Sequence, residues 1–174
     1  RKAGYYGQMT TADHVYMRDH MEEFGVDGYS ELLNWLDRAQ NFRQSLPVVK
    51  KDEKQTTDAL RFMKGADQWE LLYSDNWGAI KKSSPALEVP WEPCQTGIHH
   101  SNAIIENTKL QIVYDIKVAL SAAGLPACFW TYAGPYVCMI HNLTKDREDG
   151  TYPWLRKYQE EFKGEIFPLG CGVF

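Results

Sequence analysis

Short apolar runs open this chain and longer helical stripes close it, with the change of period near residue 52. Residues 8 to 18, Gly28 to Ala39 and Asn41 to Lys50 are short stretches rich in Leu, Val, Thr, Trp and Tyr, each bounded by glycine or polar residues. They predict three strands in close succession, an antiparallel meander, with Pro47 marking the third as an edge strand or a strand end. From Asp52 to Lys64 the order becomes polar first and apolar later, which predicts a helix capped by Asp52 and stopped by Gly65. Trp69 to Asp75 reads as a short buried strand; entered from a helix, it should lie parallel to its neighbour.

Residues 78 to 101 carry Pro85, Pro90 and Pro93 and predict loop, with one short helix over Ala79 to Leu87. Asn102 to Ala123 has the clearest helical period: Ile105, Ile112, Val113, Ile116, Ala119, Leu120 and Ala123 fall on one stripe, and Gly124 with Pro126 ends it. Another helix is predicted over Cys128 to Leu143, then an exposed KDREDG turn and a short helical piece, TYPWLRKYQEEF. Three strands, a helix, a strand and further helices predict an α/β or α+β sheet with helices packed against it. No internal repeat or low-complexity tract interrupts it.

A chain of 174 residues suits one domain with a proper core, and 44% hydrophobic with 24% charged residues is ordinary globular composition. No apolar run approaches the roughly 20 residues that span a bilayer, so no membrane partner is expected. Arg1 in place of Met, and a strand-like run ending at Phe174, predict an excerpt of a longer polyprotein. Cys94, Cys128, Cys138 and Cys171 are scattered without a CxxC pair, which predicts neither a zinc ribbon nor a disulfide framework and favours an intracellular setting. His99 and His100 beside Cys94 lack a fourth zinc ligand at usual spacing.

The net charge of -4 does not advertise a nucleic-acid surface, although carboxylates gathered for a metal would themselves lower the count. Three such carboxylates stand out: Asp13 in the first strand, Asp75 ending the fourth and Glu106 in the first turn of the long helix. Hard divalent cations take oxygen ligands, and two of them about 3.5 to 4 Å apart can clamp the attacking and leaving oxygens of a phosphodiester displacement. Most single acidic residues are simply solvated surface groups. The local setting of these three, and the position of Glu106 beside the apolar stripe with Asn102 and Lys109, sets them apart. Lys81, Lys82 and Lys109 are candidate nucleic-acid contacts. Asn102 either touches DNA or caps the helix. Asp37, Arg38 and the residues around Phe129 and Trp130 read as structural.

This order of elements and acids resembles the catalytic core of retroviral and retrotransposon integrases. GYSELLNWLDRAQNFRQSLPVVKKDEKQTTDALRFM is similar to the second and third strands and first helix of Copia-type integrases. YSDNWGAI resembles the aspartate word of the family, and GIHHSNAIIENTKLQ its Pro-Gln-x-Asn-Gly-x-x-Glu-Arg word, with Asn102 and Glu106 on the Asn and the Glu. AGLPACFWTYA and FKGEIFPLGCGVF resemble later parts of the core, so the likeness covers nearly the whole chain. Trp77 stands where the family has a small glycine, Ala103 where it has Gly, and Asn107 where it has a basic residue.

The resemblance implies a ribonuclease H-like fold, with a mixed five-stranded sheet of three antiparallel strands followed by parallel ones and helices on both faces. It implies one integrase catalytic core domain over residues 1–174, whose Asp13, Asp75 and Glu106 hold two Mg²⁺ or Mn²⁺ ions. The implied activity is DNA 3′-end processing and strand transfer into target DNA, by a homo-oligomer working in nucleus and cytoplasm. Two alternatives stay open: a ribonuclease H-like nuclease that only cuts, and a decayed or repurposed DNA-binding or assembly module.

Overall fold

The computed structural model describes residues 3–75, 78–94, 99–144 and 150–171, with 99–102 described in the backbone alone. Among these residues five strands form one sheet: β1 (Thr10–Tyr16), β2 (Glu31–Asp37), β3 (Arg43–Val48), β4 (Leu72–Ser74) and β5 (Trp91–Pro93). Their order is β3-β2-β1-β4-β5. β1 to β3 pair antiparallel, whereas β4 runs parallel to β1 and β5 parallel to β4. The mixed five-stranded sheet expected from the resemblance is therefore present. Pro47 sits in edge strand β3, where a missing N–H costs the ladder nothing.

Among the described residues six helices accompany the sheet: α1 (Arg18–Met21), α2 (Glu53–Lys64), α3 (Gly78–Leu87), α4 (His99–Ala123), α5 (Trp130–Leu143) and α6 (Pro153–Tyr158). Asp52 caps α2 by accepting the Gln55 N–H at 2.9 Å, and Gly65 ends it at φ 52°. Two cores result, one on each face. Ala12, Leu33, Trp35, Leu60, Leu72 and Ile80 build the α2 and α3 side, where Trp35 stacks on Trp69 at 4.6 Å. Val15, Leu32, Ile112, Val113, Ile116 and Trp130 build the α4 and α5 side. Gly134 lets α5 close on the sheet, since a Cβ there would meet the Leu32 Cδ1 at 3.0 Å.

The sequence expectations differ from the observed elements in several places, and the fourth strand, expected over Trp69 to Asp75, is only Leu72–Ser74. The first strand stops at Tyr16, and the chain turns into α1 instead of continuing to residue 18. The second begins at Glu31, because Val26–Gly28 forms a 3-10 turn with Gly28 at φ 80°. The proline-rich stretch expected as loop holds β5, three residues long and too short to show a period. The long helix starts at His99, so Asn102 lies inside its first turn and is not the capping residue. The charged turn expected over residues 145–149 lies outside the described residues.

Candidate metal and nucleic-acid site

Strand alternation decides which acid can face which helix. Thr11, Asp13 and Val15 share one face of β1, and Val15 packs in the core formed with α4, so Asp13 also turns toward α4. It lies in the central strand, opposite Asn34 of β2, and is 5% exposed. β4 runs parallel to β1 and delivers Asp75 immediately past its last residue, partly exposed. The neighbouring parallel strand ends in the same direction and delivers Cys94, whose N–H donates to the Ser74 carbonyl at 2.8 Å. Trp91 Nε1 donates to Ser74 Oγ at 2.9 Å and ties the start of β5 to the end of β4. Carboxyl ends of parallel strands are where open α/β sheets place their ligands.

On α4, Ile105 is buried at 1% exposed while Glu106 beside it is exposed. Three residues on, Lys109 reaches β1 and its ammonium donates to Asp13 Oδ2. The other Asp13 oxygen, Oδ1, accepts the His14 N–H at 2.7 Å. The Cys94 thiol is influenced by the same acids. Burial pushes its pKa above the usual range, Asp75 adds to that, Arg38 opposes it, and Asp13 and Glu106 push the same way as Asp75. One sulfur thus lies in the field of all three carboxylates.

Among the described residues, no three carboxylate, imidazole or thiol groups stand close enough to hold one ion. The donor chemistry nevertheless fits a hard cation, because the three acids supply only oxygens and Asp13 already pairs with an ammonium.

The other predicted contacts scatter. Lys81, on α3, lies over the Trp91 ring at 5.1 Å, one contact from the Ser74–Asp75 strand end. Lys82 turns away, to Glu53 at the start of α2, at 3.9 Å. The side chain of Asn102, and Trp77, lie outside what the structure describes. Sequence reasoning passed over Cys94 as a neighbour of the acids, and over Arg38, whose charge acts on that thiol. Position straight after β5 was the only signal for Cys94, and β5 itself was not legible. His14, on the opposite face, has its pKa pushed down to about 3 by burial and by the Lys51 and Lys109 charges, and its Nε2 pairs with Thr56 Oγ1 at 3.1 Å. Asp37 is structural, as expected: it accepts the N–H groups of Gly7, Ala39 and Gln40. Trp130 is fully buried, and Phe129 packs at the margin of the same core.

No protein-family model matches the sequence, and no curated protein matches it. Solved structures do. A chain of the simian T-cell lymphotropic virus intasome, solved in complex with the PP2A regulatory subunit B56 gamma, superposes with a TM-score of 0.73 at 12% identity over 99% of this chain. This chain spans 63% of that chain's length. The HTLV-2 integrase catalytic core domain, solved with magnesium in a trimeric form, superposes with a TM-score of 0.65 at 13% identity, covering 90% of this chain and 100% of that one. Identities this low speak to fold alone, and the fold is the ribonuclease H-like fold of integrase catalytic cores.

Proposed function

We propose that this chain is the catalytic core of a polynucleotidyl transferase that processes DNA 3′ ends and joins them to a target duplex, from a Copia-type retrotransposon polyprotein. One observation carries the reading: Asp13 of β1 and Asp75, just past the adjacent parallel strand β4, come from neighbouring strands, and Lys109, one turn from Glu106 on α4, bonds Asp13. Asp13, Asp75 and Glu106 would hold Mg²⁺ or Mn²⁺. When bound, such ions activate the attacking water or DNA hydroxyl and stabilise the leaving oxygen. The rigid part of the work falls to β1 and β4, which hold Asp13 and Asp75 on strand frameworks, while Glu106 is carried by a 25-residue helix.

Lys81, Lys82, Lys109 and Asn102 are the proposed DNA contacts, with phosphate as their target. Self-association is part of the proposal and is supported by the large apolar groups left at the surface of α2 and α5, Phe62 at 77% exposed with Tyr132 and Met139. The magnesium in the HTLV-2 core and the intasome assembly of the simian protein support the cofactor and the multimer by analogy of fold. Work on nuclear DNA implies a protein that moves between cytoplasm and nucleus. No helix among the described residues is long and apolar enough to cross a membrane.

The test is a strand-transfer and disintegration assay on branched DNA with Mn²⁺, run beside Asp75→Asn. Product from the unaltered chain alone supports the proposal, and equal product from both proteins rejects it. Nicking of supercoiled plasmid without joining would point to a nuclease. A second reading, a repurposed assembly module, draws on the internal cation already seated on Asp13 and on Trp77, Ala103 and Asn107. Calorimetry showing no metal binding would favour it.

A further inference from the structure

We infer that Lys109 is the built-in counter-ion of Asp13, holding a divalent cation's place until the ion arrives and swinging out when it does. This rests on the proposed role of Asp13, Asp75 and Glu106 as metal ligands. Asp13 is a buried carboxylate in the central strand, its side chain 7% exposed, and both of its oxygens are engaged: Oδ1 by the His14 N–H and Oδ2 by Lys109. A carboxylate so buried needs a partner, because breaking a buried ion pair leaves a desolvated charge. Metal-free chain must fold with that partner present.

The two members of the pair differ in freedom. Asp13 is fixed in the ladder opposite Asn34 of β2, in a strand that pairs on its other side with β4. Lys109 is 21% exposed, at the end of a flexible four-carbon stem on α4, so it is the group that can leave. An ammonium and a dication cannot share Asp13 Oδ2 without strong repulsion. Ion entry therefore expels Lys109, and the energy of the lost pair is subtracted from metal affinity. Once expelled, the ammonium remains one turn from Glu106, on the edge where a DNA phosphate would approach.

The experiment is Mn²⁺ titration by calorimetry, with thermal melting in EDTA and in Mn²⁺, on the full chain and on Lys109→Gln, Lys109→Arg and Asp75→Asn. Gln keeps a hydrogen-bond donor and removes the charge; Arg keeps the charge. Lys109→Gln is expected to bind Mn²⁺ about tenfold more tightly, the size of effect a nearby unit charge has in a partly screened site. It should also melt lower in EDTA and gain more from Mn²⁺, with Lys109→Arg close to the unaltered chain. Equal Mn²⁺ affinity in the unaltered chain and Lys109→Gln, with Asp75→Asn still abolishing binding, overturns the inference and leaves the functional reading standing. No Mn²⁺ binding by any of the proteins overturns both. Should Lys109→Gln melt too low to titrate, the Lys109 ammonium NMR signal of the unaltered chain decides. It is expected to be protected in EDTA and lost on saturation with Mg²⁺, and a signal that persists at saturation overturns the inference.

Discussion

Lys109 and Lys157 each lie against an aspartate, and their surroundings give the two pairs opposite uses. Lys157 of α6 bonds Asp67 at 2.7 Å with its side chain only 6% exposed. Its ammonium sits among the rings of Tyr6, Phe42 and Tyr158, at 4.4, 4.6 and 4.8 Å from their centres. Every neighbour there favours the cation where it is. Lys109 is more exposed, and its aspartate shares the field at Cys94 with two further carboxylates. An ion pair enclosed by aromatic faces is a fastening. One beside further carboxylates is, on the inference above, a place that a stronger cation can take.

The sharpest way to break that contrast is to remove each aspartate's charge in turn. Asp13→Asn is expected to lower Mn²⁺-dependent strand transfer by at least about 100-fold, since even the outer partners of metal ligands cost up to that much. Asp67→Asn should leave activity per folded molecule unchanged. A strand-transfer time course normalised to folded protein checks both, and similar losses in the two variants would erase the distinction.

Stability should rank the lysines the other way. Lys157→Met is expected to cost about 3 kcal/mol in urea denaturation, from the lost ion pair and the emptied cage, and Mn²⁺ should not restore it. A loss that metal reverses would mean that the two pairs are not separate.

Acid distinguishes the regions more gently. Folded His14, next to Asp13, has a pKa of about 3, and His141 about 4, both pushed down chiefly by burial from an ordinary 6.5. The unfolded chain takes up those protons first. The contribution of the neutral rings to stability is therefore whole above about pH 6.5 and is lost as pH falls toward 4 and then 3. His14→Gln should flatten that decline when denaturation midpoints are compared at pH 7 and 4.5. An unchanged slope would rule His14 out as its source. The smallest effect belongs to the solvated pair Lys54–Asp58 on α2, 2.9 Å apart with side chains 86% and 51% exposed. Lys54→Ala should not measurably move the midpoint, and a clear shift would show that exposed pairs cannot serve as the baseline.

Legibility in the sequence followed element length and local chemistry. The α4 stripe and the Asp52 to Gly65 helix were readable because each repeats its signal over several turns or marks both ends with a residue suited to the cap. β5 was not, since a three-residue strand ending in proline repeats nothing. The start of α4 was misjudged because Asn102 has the chemistry of a cap, although the helix begins at His99. The three acids were named from sequence, yet their common neighbour Cys94 was not. It enters the site only because β4 and β5 end side by side.

Alternation, helical stripes and capping residues, all local properties of neighbouring side chains, determined the order of the first four strands and the longer helices, and the face of α4 that packs inward. Tertiary structure alone decided that Lys109 of α4 would neutralise Asp13 of β1, 96 positions away, and that Lys157 would find its cage between the chain's two ends. Electrostatic partnership depends on distance in space and on shielding from water, and neither is written into the spacing of residues along a chain.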